Sequence, residues 1–259
     1  MKTTQIWACL GAVLFCWGAM SPTCQAALVA HWTGDGTAND ASGNGHHGTL
    51  HDDTTFATGV IGDAFLFDGN NDYVSIPNAL TLEPSTITIA AFVKMGDTGQ
   101  SQRLVVDSSH GFGDFAGWAL QTDPGGTIAF VYGNGSSFFG VGSTTVIDDD
   151  QFHHVAGVLD GNTLSIYIDG SFEDSSTLTG TPMASGRELR IGASYGGNSS
   201  GSVREVNGLI DDVRLYDQAL NSNQIMSLAV GVPEPSTTVA LCLGVLATVT
   251  WRYKRRLPS

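Results

Sequence analysis

Residues 208–225, GLIDDVRLYDQALNSNQI, place two adjacent acids inside a run that otherwise reads as a strand. Carboxylates so placed can pair for acid–base work, ligate a metal, or sit in solvent. Strict alternation puts Asp211 on the face of Leu209, Val213 and Leu215, and Asp212 on the face of Ile210, Arg214 and Tyr216. On that reading they do not form a convergent pair. Asp211 then stands among apolar neighbours, where an unpaired carboxylate is costly, so it needs a metal or several backbone N–H donors. Asp212 has Arg214 as an ion-pair partner one pleat away.

A second group of oxygen ligands lies near the N-terminus. The loop DGTANDASGNG, residues 35–45, offers Asp35, Asn39, Asp40 and Asn44. Calcium takes about six to eight oxygen ligands, and glycines let a loop turn its carbonyls inward. Two readings stand together. One is a structural calcium ion held by Asp35 or Asp40, with Asn44 and with Asp211. The other is an Asx-turn loop with a hydrogen-bonded Asp211. The order of acids is not that of an EF-hand. Asp148–Asp150 and the group Asp68, Asn70, Asn71 and Asp72 read as solvated turns. His46, His47, His51, His153 and His154 come without cysteine or a His-Glu-x-x-His run, so zinc is not indicated. HGFGDFAGW, residues 110–118, and YGNGSSFFG, residues 132–140, are rich in glycine and aromatics. Phe112, Phe115, Trp118, Phe138 and Phe139 either form a stacking edge for a ligand or cap the end of a core.

The elements that position these residues read as strands. Short apolar runs recur between Gly, Asn, Asp and Ser turn signals, and no pattern sustains a long helix. Eleven strands are expected, beginning at residues 27, 64, 73, 87, 103, 117, 127, 152, 163, 188 and 208. Leu164, Ile166 and Ile168 share one face. Ile87, Ile89, Ala91 and Val93 line another. LDGNTLSIYIDG, residues 159–170, is a hairpin with an Asp-Gly-Asn turn. One short helix is expected over 221–229, capped by Asn221, with Ile225 and Leu228 inward. This is an all-β chain, a β-sandwich or jelly roll.

The ends differ from the body. Residues 1–26 read as a secretory signal peptide, with Lys2, an apolar stretch and small residues before Ala27. Residues 232–259 hold VPEPS, an apolar run and RYKRR, which reads as a single transmembrane helix leaving the body outside. All four cysteines lie in these two ends, so the body, residues 27–231, has no disulfide. The body carries Lys94 and five arginines against 24 acids. Such a surface repels nucleic acid and anionic membranes.

Four segments resemble one family: residues 28–50, residues 64–78 (AFLFDGNNDYVSIPN), residues 152–170 and residues 208–225. In that order and spacing they resemble the laminin-G-like, concanavalin A-like jelly-roll domains. The resemblance implies that fold and, in some members, a calcium site near the first acid of the closing motif. Pro233-Glu234-Pro235, the apolar run and the basic cluster resemble the PEP-CTERM sorting signal of Gram-negative and related bacteria. That resemblance implies processing by an exosortase-type enzyme and a place in the envelope, at the outer surface or in the extracellular matrix. The jelly roll also hosts retaining glucanases. These use glutamates at Glu-x-Asp-x-x-Glu spacing, which Glu83, Glu173, Glu188 and Glu205 do not supply. The expectation is therefore a non-enzymatic module binding carbohydrate or a matrix protein. A structural surface protein without a discrete ligand is the alternative, and a polysaccharide-active hydrolase is the third reading.

Overall fold

A computed structural model describes residues 27–108, 115–195 and 204–231. Among the described residues there are fifteen strands: β1 Leu28–Trp32, β2 Thr49–His51, β3 Thr55–Thr58, β4 Asp63–Asp68, β5 Tyr73–Ile76, β6 Ile87–Gly96, β7 Arg103–Ser108, β8 Gly117–Thr122, β9 Thr127–Gly133, β10 Phe138–Val146, β11 Asp149–Asp160, β12 Thr163–Ile168, β13 Ser171–Thr177, β14 Leu189–Ile191 and β15 Asn207–Tyr216. A 3-10 turn spans Leu80–Leu82, and helix α1 spans Ser222–Ala229.

The strands form two antiparallel sheets, one of eight strands ordered β13-β12-β11-β6-β15-β4-β3 with β1 beside β15, the other of seven ordered β10-β9-β8-β7-β14-β5-β2. All eleven expected strands are found. The four additional ones, β2, β3, β10 and β13, are the outer strands of the two sheets. β2, β3 and β13, the last with the sequence SFEDSST, contain no fully buried residue, whereas β10 sends Val141 into the core. Polar, short strands at sheet edges are how sandwiches avoid pairing with other chains.

The core lies between the sheets. Ile87, Ile89, Ala91 and Val93 of β6, and Leu164, Ile166 and Ile168 of β12, all belong to it, as their alternation requires. Trp118, Leu120, Phe130, Val105 and Ile191 meet them from the other sheet. Fully burying a large apolar side chain contributes about 1.5–3 kcal/mol. Gly157 of β11 marks a close approach. A Cβ there would lie 2.5 Å from the Phe130 ring, so the two sheets come together at this point only without a side chain.

Helix α1 packs on the outer face of the eight-stranded sheet. Ile225 and Leu228 cover Ala90, Ala156, Val158, Tyr167 and Tyr216, forming a second, smaller cluster. Asn221 accepts from the N–H groups of Asn223 and Gln224, while the Gln224 side chain accepts from Asn221 N–H. This reciprocal cap holds a helix too short to persist alone.

Candidate functional site

Strand β15 is the hub. On one side it pairs along its length with β6. On the other it pairs first with β4 through residues 207–210, then with β1 through residues 213–216. Asp211 and Asp212 occupy the gap where the partner changes, and the register shifts there by a β-bulge. Asp212 takes φ +52, a left-handed conformation that aspartate tolerates better than most residues. The bulge overturns strict alternation. Ile210, Val213 and Leu215 share the core face, so both acids lie outside the inter-sheet core. They are neighbours on one face after all.

The two carboxylates are held differently. Asp211 is fully buried, and its Oδ2 accepts from Val60 N–H at 2.7 Å and Ile61 N–H at 3.0 Å. These donors belong to the turn between β3 and β4. A Cβ on Gly59 would sit 2.4 Å from Asp211 Oδ2, so glycine is needed there to admit the carboxylate. Asp211 Oδ1 has no hydrogen-bond partner among the described residues. Burial pushes the Asp211 pKa up to about 6, with Asp212 and Asp35 adding to the rise and the two N–H donors opposing it. Asp212 instead meets Arg214 at 3.0 Å and His31 Nε2 at 2.5 Å. The expected pairing with Arg214 is present, and His31 joins it from β1.

The expected calcium ligands fall into two networks. Asp35 faces the same turn as Asp211, its Oδ1 accepting from Asp63 N–H at 2.8 Å. Asp40 is engaged elsewhere. Its Oδ1 accepts from His31 and Ser42 N–H, and its Oδ2 from His46 N–H. Burial acts to raise its pKa, but these bonds outweigh it and hold Asp40 below the usual carboxylate range. Asn44 Nδ2 donates to the carbonyls of Leu28 and Val29. Asp40 and Asn44 thus brace the loop against β1. Among the described residues, no three His, Cys, Asp or Glu side chains gather at metal-binding spacing.

The aromatic candidates separate as well. Phe112 lies outside the described residues. Trp118 is fully buried in the core, and its Nε1 donates to the Leu82 carbonyl. Strand alternation in β8 turns it inward, so it is not available for stacking on a ligand. Phe139 packs half-buried against the core. Phe115 stays exposed, at φ +42, with its ring edge-on to the half-buried Phe138 at 5.6 Å.

Two constellations escape a one-dimensional reading. Below the aromatic end, Glu83 and Asp107 meet around Ser185. Ser185 Oγ donates to Asp107 Oδ1, while Ser185 and Gly186 N–H donate to Glu83. Asp107 is fully buried, and its Oδ2 has no hydrogen-bond partner among the described residues. Burial, then the Glu83 charge, pushes the Asp107 pKa up to about 8 against the Ser185 hydrogen bond. Twenty-four residues separate the two acids, and no periodicity links them.

The second is an open cleft of about 330 Å³ on the outer side of the eight-stranded sheet. Leu66 and Leu209 give it an apolar floor, and Lys94, Asp97, Asp150 and Asn207 surround it with polar atoms. Phe152, opposite Lys94 in the β6–β11 register, places its ring 6.0 Å from the ammonium. The cleft draws on four strands, so only the pairing of β4, β6, β11 and β15 reveals it.

The model of the concanavalin A-like lectin/glucanases superfamily matches residues 68–226, more than half of the chain. The chain belongs to that superfamily. Residues 231–256 match the PEP-CTERM protein-sorting motif. No curated protein matches the sequence. Among solved structures, the fold is similar to domain 4 of AbnA, a GH43 extracellular arabinanase from Geobacillus stearothermophilus, in complex with arabinotriose. That match has 21% identity and a TM-score of 0.64, covering 79% of this chain and 98% of that one. It is also similar to the binding domain of Paraclostridial Mosquitocidal Protein 1, at 16% identity and a TM-score of 0.64, covering 78% of this chain and 51% of that one. The binding domain of botulinum neurotoxin serotype D follows at 12% identity and a TM-score of 0.63, covering 79% and 52%. This chain thus spans about half the length of the two toxin domains.

Proposed function

We propose that the protein is an exported, envelope- or matrix-associated module that binds carbohydrate, with the sugar seated in the cleft beside Lys94 and Phe152. The cleft carries the reading. Sugar recognition needs an apolar or aromatic surface for the C–H face of the ring and a few fixed polar groups for its hydroxyls. Leu66 and Leu209 of the cleft supply the first, with the Phe152 ring next to Lys94 outside its lining, and Lys94, Asp97, Asp150 and Asn207 supply the second. The arabinotriose complex of AbnA domain 4 supports the ligand class through a shared fold. The sorting motif supports export and handling by an exosortase-type enzyme, with the membrane met through the C-terminal segment. That segment lies outside the described residues, as does the expected signal peptide. Among the described residues no helix is long and apolar enough to cross a membrane.

A matrix protein could occupy the same surface. The burial of Trp118 and the packing of Phe139 favour a second reading, a structural surface protein without a discrete ligand. For the calcium ion expected at the closing strand, Asp211 and Asp35 are the residues with suitable placement, and the ion would tie β15 to the turn before β4. Oligosaccharide arrays followed by titration calorimetry test the carbohydrate reading. The expected result is binding that Phe152→Ala weakens several-fold without changing the melting temperature. Absence of any glycan ligand, or affinity indifferent to Phe152 and Lys94, would favour the structural reading.

A further inference from the structure

Glu83 and Asp107 pose an electrostatic problem. Both are buried, at 9% and 0% exposure, and they share Ser185. No ion pair to either is present among the described residues. Two ionised carboxylates left in an interior without a cation are strongly disfavoured. One proton would remove half the charge, but it leaves Asp107 Oδ2 poorly served. Among the described residues that oxygen has no hydrogen-bond partner, and a buried carboxylate oxygen left so is costly.

We infer that Glu83, Asp107 and Ser185 form the protein part of a buried divalent-cation site, with calcium as the fitting ion. The Asp107 carboxylate oxygen with no partner would face the ion, alongside Glu83 and the Ser185 hydroxyl. Two carboxylates neutralise one divalent cation. Calcium also accepts hydroxyl, carbonyl and water oxygens, which lets two acids suffice. A zinc site would call for nitrogen or sulfur ligands, and none is here. The ion would fasten three separate pieces of chain: the 3-10 turn that ends at Glu83, the end of β7, and the segment 183–187. That last segment already clasps the aromatic end, because Met183 N–H donates to the Gly133 carbonyl and Gly117 N–H to the Met183 carbonyl. The site is independent of the cleft and of Asp211.

Terbium luminescence tests this directly. Terbium replaces calcium at oxygen sites, and Trp118 and Tyr132 lie close enough to sensitise it. Trp118 is the register partner of Asp107, and Tyr132 feels the charges of both acids. The purified protein, stripped with chelator and titrated with terbium, should show sensitised emission that calcium displaces. Calcium alone should raise the melting temperature by several degrees. Asp107→Asn, which matches the shape of a protonated acid, should abolish the sensitised emission and reduce the calcium-induced rise in melting temperature, and Glu83→Gln should weaken terbium binding at least tenfold. Asp211→Asn should leave the emission intact. No sensitised emission, or emission that survives Asp107→Asn, would overturn the site. So would loss of the emission in Asp211→Asn alone, which would move the ion to the closing strand.

Discussion

The molecule contains two pairs of acids, and they solve the same problem by different means. Asp211 and Asp212 are adjacent in sequence at the bulge of β15. Val60 and Ile61 N–H groups answer the first, and Arg214 and His31 answer the second. Glu83 and Asp107 are distant in sequence and meet around a serine, with backbone N–H groups on Glu83 alone. Each pair keeps one buried oxygen without a hydrogen-bond partner among the described residues, Asp211 Oδ1 in the first and Asp107 Oδ2 in the second. The difference lies in the counter-charge: Arg214 and His31 stand beside the first pair, whereas no ion pair to Glu83 or Asp107 is present among the described residues. Buried acids therefore mark either a hinge point of the architecture or a place where something is still to be bound, and the partner atoms decide which.

The largest expected effect breaks the first pair. Asp212→Ala strips Arg214, itself nearly buried, of its carboxylate, which should cost about 3–5 kcal/mol in urea unfolding. Gly59→Ala should cost about 1–3 kcal/mol, because the new methyl meets Asp211 Oδ2. Combined with Asp211→Ala, the Gly59→Ala penalty should shrink. A strictly additive double-mutant cycle would show that the contact does not matter.

The pH dependence of stability should separate the two pairs. An acid whose pKa is raised on folding binds more protons in the native state, so stability falls as pH rises from the unfolded to the folded value. For Asp211 that interval runs from about 4 to about 6. For Asp107 it extends from about 4 to about 8. In chelator, urea midpoints should therefore decline up to about pH 8. Asp107→Asn should flatten the decline between about pH 6 and 8, and Asp211→Asn only the part below about pH 6. Calcium in place of chelator should remove the upper decline, since a bound cation keeps Asp107 ionised throughout. The smallest effect belongs to the exposed aromatic end. Phe115→Ser should move stability by no more than about 0.5 kcal/mol, as surface positions do. A larger loss would show that Phe115 belongs to the core with Trp118.

Much of the fold was legible in one dimension. Alternation in β6, β12 and β9 reports burial directly, since one face of each strand meets the other sheet. The Asn221 cap and the inward Ile225 and Leu228 were equally readable, because capping and amphipathicity are local. The site was less legible. Asp40 and Asn44 carried the right chemistry for a calcium loop, yet their neighbours turned out to be backbone groups of the same hairpin. Phe115 kept its exposure while Trp118, three residues on, points into the core.

By itself, then, the sequence determined the all-β class, the inward faces of the central strands, the short capped helix, and the acidic, disulfide-free body between two apolar ends. These follow from local pattern and composition, which need no partner to express themselves. The tertiary structure alone decided the edge strands, the bulge that puts Asp211 and Asp212 on one face, the cleft beside Lys94, and the meeting of Glu83 with Asp107. Each of those depends on which strand lies beside which, and a bulge or a long-range pairing leaves no period in the chain to announce it.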